Sequence, residues 1–255
     1  YLSRGIVMYK SLEKVCKNFH LYVIAFDDET FKFLSDNDYP KLTVIPYATF
    51  EDEKLKIAKS NRTAREYFWT CGCHSIKHIM GYYEVDHCTY LDADLFFYGD
   101  PSILLERFFE SGCNAGIIAH NYSDCMEYRY NEKNNGKYCV EFNTFLNNEK
   151  GREILNWWCD SCLESCPESA VDGKFGDQKY IEEFPKRFNG IYEYTESSAG
   201  LAPWNISKYT LKNDNIFYLS EKKRTLKKDI WKEGLFHVGN TDRAPAHAAG
   251  HEPAD

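Results

Sequence analysis

Apolar and polar positions along the chain switch between two periods, and the switches mark its elements. Residues 2–12 carry apolar side chains at helical spacing. The run His20-Leu21-Tyr22-Val23-Ile24-Ala25-Phe26 reads as a strand ending in Asp27 and Asp28, and residues 41–46 read as a second strand. A helix is predicted over 63–82 and a strand over 89–97. Beyond Pro101 come an amphipathic segment, a strand at Ala115-Gly116-Ile117-Ile118-Ala119, a polar loop at 121–137, an apolar stretch at 140–146 and a helix at 150–166. Residues 168–204 read as loop-rich, and loops are where sites tend to lie. Such alternation predicts an α/β fold with a mostly parallel central sheet flanked by helices. Residues 1–243 fit one domain, whereas 244–255, rich in Ala, Pro and His without periodicity, read as a disordered tail.

Bulk properties narrow the function classes. A formal charge of −8 over 255 residues disfavours a nucleic-acid binder, which usually carries a basic face. No apolar run approaches the ~20 residues of a membrane span, and no secretory signal pattern opens the chain, so the expected location is cytoplasmic. The basic run Lys222-Lys223-Arg224, followed by Lys227-Lys228, reads as a solvated face, with peripheral contact to anionic lipid as the sharper alternative. The ten cysteines lack paired zinc-finger spacing and are expected to be mostly reduced and buried. Trp157 and Trp158 read as helix-to-sheet packing.

The stretch Thr89-Tyr90-Leu91-Asp92-Ala93-Asp94-Leu95-Phe96-Phe97 carries the main chemical signal. With 17 aspartates in the chain, about one Asp-x-Asp triplet arises by chance, and Asp36-Asn37-Asp38 in a polar run is such a case. Asp92 and Asp94 differ because they interrupt an apolar run. Side chains at i and i+2 of a strand share a face, so these carboxylates converge. Their repulsion calls for a cation, and a divalent metal held by oxygen ligands can in turn grip a diphosphate. In open parallel sheets, ligands bind beyond the carboxyl ends of strands, where this pair falls.

Four further blocks occur in order: Glu141-Phe142-Asn143-Thr144-Phe145-Leu146-Asn147, Gly173-Lys174-Phe175-Gly176-Asp177-Gln178-Lys179-Tyr180, Leu201-Ala202-Pro203-Trp204-Asn205 and Phe236-His237-Val238-Gly239. With the Asp92/Asp94 block, this series resembles glycosyltransferases of the GT-A fold. The resemblance is to the retaining group typified by glycogenin and bacterial lipopolysaccharide galactosyltransferases, and closest to bacterial nucleotide-diphospho-sugar transferases. It implies that Asp92, Asp94 and His237 bind a divalent cation, Mn²⁺ or else Mg²⁺, that bridges the donor diphosphate. An imidazole beside carboxylates suits Mn²⁺ better. The resemblance also implies Gln178 beside the anomeric carbon, Asp177 on sugar hydroxyls, and Asn143 toward the donor sugar. Asp177 also reads as the cap of a helix beginning near residue 179, and both roles can hold at once.

Arg65 and Asp28 are donor-contact candidates, and Arg243 is a candidate for neutralising the leaving diphosphate through its planar fork. His120 and Tyr122 are candidates to face the acceptor. The implied reaction moves a hexose from a nucleotide-diphosphate sugar to a glycan or lipid-linked acceptor with retention, in polysaccharide or lipopolysaccharide synthesis. Family members begin with a further strand that this chain lacks. Two rivals stand beside this reading, a sugar-nucleotide pyrophosphorylase and a non-catalytic sugar-nucleotide binder. The first should carry a glycine-rich phosphate loop near its start, and none is visible.

Overall fold

The computed structural model describes residues 1–196, 199–212, 215–218 and 236–238, with side chains through Tyr209. Ten strands and nine α-helices run along these residues, joined by short 3₁₀ turns. The N-terminal periodicity becomes α1 (Leu2–Val15), and the two early apolar runs become β1 (Leu21–Ala25) and β2 (Leu42–Pro46). Three helices lie among and after them: α2 (Asp28–Asp36), α3 (Tyr47–Phe50) and α4 (Glu53–Ser60). The helix expected over 63–82 is α5 (Ala64–Tyr82). Its start is fixed by a capping box: Glu66 N–H donates to the Thr63 hydroxyl, and Thr63 N–H donates to the Glu66 carboxylate.

The middle of the chain supplies β3 (His87–Leu91), β4 (Leu95–Phe97), α6 (Ser102–Glu110), β5 (Ala115–Ala119), α7 (Met126–Asn135), β6 (Tyr138–Leu146) and α8 (Glu149–Glu164). A 3₁₀ segment (Gln178–Glu183) leads into α9 (Phe184–Arg187) and β7 (Ile191–Tyr194). The hairpin β8 (Tyr209–Lys212) and β9 (Asn215–Tyr218) and the short β10 (Phe236–Val238) follow.

The α/β expectation holds, but the sheet is mixed rather than mostly parallel. Its strand order is β3-β6-β5-β7, antiparallel at both β6 ladders and parallel only between β5 and β7. The reason is local. The connection between β5 and β6 lets the chain turn back alongside β5, where a crossover to a parallel neighbour would have to cross the sheet face. A separate parallel pair, β1-β2, shares no ladder with this sheet among the described residues. The segment read as a loop at 121–137 contains α7, which buries no residue and so offers no apolar stripe to detect.

Two apolar layers cover the central sheet. On one face Met8, Leu12, Phe97, Leu104, Phe108, Phe142 and Tyr194 pack α1 and α6 against the strands. On the other, Cys73, Ile76, Ile117, Phe145, Ile154, Trp158 and Phe184 join α5 and α8. Each such side chain contributes about 1.5–3 kcal/mol by leaving water. Gly151 lets α8 approach the sheet, since a Cβ there would collide with the Leu146 carbonyl oxygen. Trp157 and Trp158 are helix-to-sheet packing, as read, and the Trp158 indole N–H also donates to the Asp177 carbonyl at 2.9 Å. The core thereby fixes the backbone of a candidate site residue.

Candidate active site

A cleft of about 1510 Å³ opens where β3 ends, bounded by β1, α5, the β3–β4 turn and the segment around Asp177. Asp92 and Asp94 both line it, but their geometry differs from the strand reading. The strand stops at Leu91, and Asp92-Ala93-Asp94 forms a turn before β4 resumes at Leu95. Leu95 N–H donates back to Asp92 O at 3.3 Å and closes that turn. Both carboxylates still reach the cleft, as turn residues rather than as neighbours on one strand face. The Tyr90 hydroxyl donates to Asp92 Oδ1 at 3.0 Å, and Arg4 on α1 lies 3.7 Å from Asp94 Oδ2.

Asp177 and Gln178 line the same cleft and are 5% and 4% exposed. They follow Gly176, whose φ of +50° suits glycine and turns the chain into the 3₁₀ segment. The Asp177 side chain makes no capping hydrogen bond, so the helix-cap reading is not its role. Its Oδ2 lies 3.3 Å from where a Cβ on Gly72 would sit, and the Tyr90 ring lies 3.6 Å from the same point. Tyr90, which donates to Asp92, and Asp177 thus pack on the same glycine of α5. Gln178 Nε2 donates to the Asn135 carbonyl at 2.8 Å, which leaves Oε1 as the remaining polar atom of that side chain.

The other candidates divide. Arg65, on the first turn of α5, lines the cleft and lies 3.6 Å from Glu168 Oε2. Asp28 is exposed on the first turn of α2 and is not among the cleft residues. Its neighbour Asp27 is, and it caps α2 by accepting from Thr30 N–H at 2.6 Å, a bond that holds its carboxyl below the ordinary range. Asn143 pairs in register with Tyr90, is 0% exposed, and sits behind the cleft lining. Neither polar atom of its amide has a hydrogen-bond partner among the described residues. For His237 only the backbone is described: β10 runs antiparallel to β4 and sets His237 opposite Phe96, two residues past Asp94. Arg243 and the basic run at 222–228 lie outside the described residues. Tyr90 was the contact that motif reading passed over. Its signal was there, since it precedes Asp92 by two positions.

A second grouping lies deep in the core. Cys73, His74 and Cys159 offer ligand atoms within 4.8 Å of one another, all buried. Burial pushes the Cys73 and Cys159 thiols well up and the His74 imidazole down, so all three stay neutral. Sulfur and nitrogen donors of this kind do not suit Mn²⁺ or Mg²⁺, whereas the carboxylates of the cleft do. Seven of the cysteines are buried, whereas Cys88 and Cys113 are half-buried and Cys125 is exposed.

Comparison with known proteins places the fold. Xyloside xylosyltransferase 1 from mouse, in its apo form, superposes with a TM-score of 0.53 over 94% of this chain and 92% of that one, at 12% identity. The chain adopts a glycosyltransferase fold. No family model matches the chain. Two proteins of Bacillus subtilis (strain 168) are similar in sequence, both uncharacterized. YfnF is 28% identical over 214 residues, spanning 82% of this chain and 70% of that protein. YfnD is 29% identical over 225 residues, spanning 87% and 71%. No described helix is long and apolar enough to cross a membrane.

Proposed function

We propose that this chain is a metal-dependent hexosyltransferase that moves a hexose from a nucleotide-diphosphate sugar to a glycan or lipid-linked acceptor with retained configuration. The observation that carries the reading is the convergence of Asp92, Asp94, Asp177 and Gln178 on one cleft of a glycosyltransferase fold. Asp92 and Asp94 supply the hard oxygen donors that fit a divalent cation. The backbone register of β10 supports His237 as a third ligand. Mn²⁺ is the preferred ion because an imidazole joins the carboxylates, and when bound it would neutralise charge on the departing diphosphate.

The chain's own residues account for the remaining work. Gln178 presents a neutral carboxamide oxygen to the carbon that gains positive charge as the donor bond breaks, a preorganised dipole in a water-poor wall. Asp177, fixed by the Trp158 indole at its carbonyl, orients sugar hydroxyls. Arg65 contributes a cation at the mouth of the cleft.

A thermal-shift measurement with nucleotide sugars and Mn²⁺ tests the proposal. Stabilisation is expected only when both are present, and Asp94→Asn is expected to remove it. A shift that persists unchanged in that variant would overturn the reading, and NMR of the transferred product reads the anomeric configuration.

A further inference from the structure

Helix α7 buries no residue, yet it borders the cleft. Glu127, Asn131 and Asn135, spaced four apart on one helical face, all line the opening together with Tyr128. A wall of rings stands beside this polar stripe. His120 stacks on Tyr122 at 4.6 Å and 13°, and Tyr122 on Tyr128 at 5.9 Å and 19°. The Trp204 ring meets His120 edge-on at 5.3 Å. All four rings line the cleft.

The backbone is arranged to hold them there. Asn121, between the first two rings, adopts φ +50°, a left-handed turn that asparagine accepts more readily than most residues with a Cβ. Its side chain accepts from Lys208 Nζ at 2.8 Å. The Trp204 indole N–H and the Asn205 amide both donate to the His120 carbonyl, at 2.9 and 3.0 Å. At its far end the stripe joins the chemistry directly, because the Asn135 carbonyl is the group that holds Gln178.

Flat apolar rings beside amide and carboxylate groups match a pyranose ring, which offers an apolar C–H face and a rim of hydroxyls. Charge points the same way. Arg65, on α5, is the one arginine or lysine among the described cleft residues, and the stripe itself carries Glu127. The cations of α7, Arg129 and Lys133, do not line the cleft, Arg129 is paired with Asp124, and Lys208 beside the ring wall is bonded to Asn121. We propose that the ring wall and the Glu127–Asn131–Asn135 face of α7 form the acceptor subsite, and that the acceptor presents the ring of a neutral saccharide. This rests on the transferase reading above and narrows its substrate class.

Saturation-transfer NMR on the full chain tests it, with cellotriose, maltotriose, lactose and N,N′-diacetylchitobiose as neutral probes, and glucuronic acid and glucose 6-phosphate as charged ones. Wild type is expected to saturate the ring protons of at least one neutral probe. Tyr128→Ala and Asn131→Ala should each weaken that probe about tenfold, the loss of one stacking or hydrogen-bonding partner, while Tyr128→Phe retains it. Both positions lie on a helix that buries nothing, so these variants should fold, and unchanged far-ultraviolet circular dichroism verifies that. Binding of charged probes alone, of no probe, or of a neutral probe with equal affinity in both alanine variants would overturn the proposal. The donor-and-Mn²⁺ thermal shift reports separately: saccharide binding without it would leave the subsite standing and remove the transferase, and the reverse result would do the opposite.

Discussion

The Tyr90 hydroxyl donates to Asp92, while its ring and the Asp177 carboxylate both pack on Gly72 of α5. Hydrogen bonds to a ligating carboxylate orient it, and their loss typically weakens metal affinity 10- to 100-fold by order of magnitude. Tyr90→Phe keeps the ring and removes only the donor. Its expected stability change is about 1 kcal/mol or less, while the Mn²⁺ concentration for half-maximal donor stabilisation should rise roughly tenfold. Manganese titration of the thermal shift checks this, and an unchanged midpoint would mean that Asp92 is oriented without Tyr90. The acidic pair itself was legible in the sequence because an apolar run broken by two carboxylates is rare. Its placement in a turn was not, since a turn flanked by two short strands carries the same apolar pattern as one longer strand.

Among the elements, α5 shows how much a local signal can settle. The helix expected over 63–82 forms over Ala64–Tyr82, and the structure adds a Thr63–Glu66 capping box that fixes its start. The Thr63 backbone bond holds the Glu66 carboxyl below its ordinary 4.5, and Glu66 also accepts from Glu168 N–H at 3.2 Å. The sign follows from that depression. Glu66 contributes stability that is fully present above pH 4.5 and is lost as pH falls through the lowered folded value. Glu66→Gln should therefore show a flatter stability profile than wild type across this acid range by urea unfolding. Thr63→Ala should cost about 1 kcal/mol at neutral pH in the same assay. A Glu66→Gln profile that parallels wild type would exclude the linkage. By contrast, α7 gave no signal at all. A helix that buries nothing writes no apolar period, and its polar stripe has meaning only once the ring wall stands opposite. The mixed sheet was hidden for a related reason, because strand direction depends on where a connection returns and not on the apolar run itself.

Across the whole molecule, α5 links the two sides of the cleft. It packs on α8 and β3 through the larger core and also lines the opening with Arg65, Trp69 and Gly72. Its own Tyr67 and Cys71 pack with Phe50 of α3 and Leu55 of α4, a cluster that Ile24 of β1 joins. Side-chain contact of this kind is the connection between the paired strands β1-β2 and the four-stranded sheet. No ladder bond joins them among the described residues. Breathing of one body against the other can then proceed without breaking a backbone hydrogen bond in either sheet. Amide protons of residues 21–25 and 42–46 should accordingly exchange with deuterated solvent sooner than those of 115–119 and 138–146, and donor bound across the gap should slow the first group preferentially.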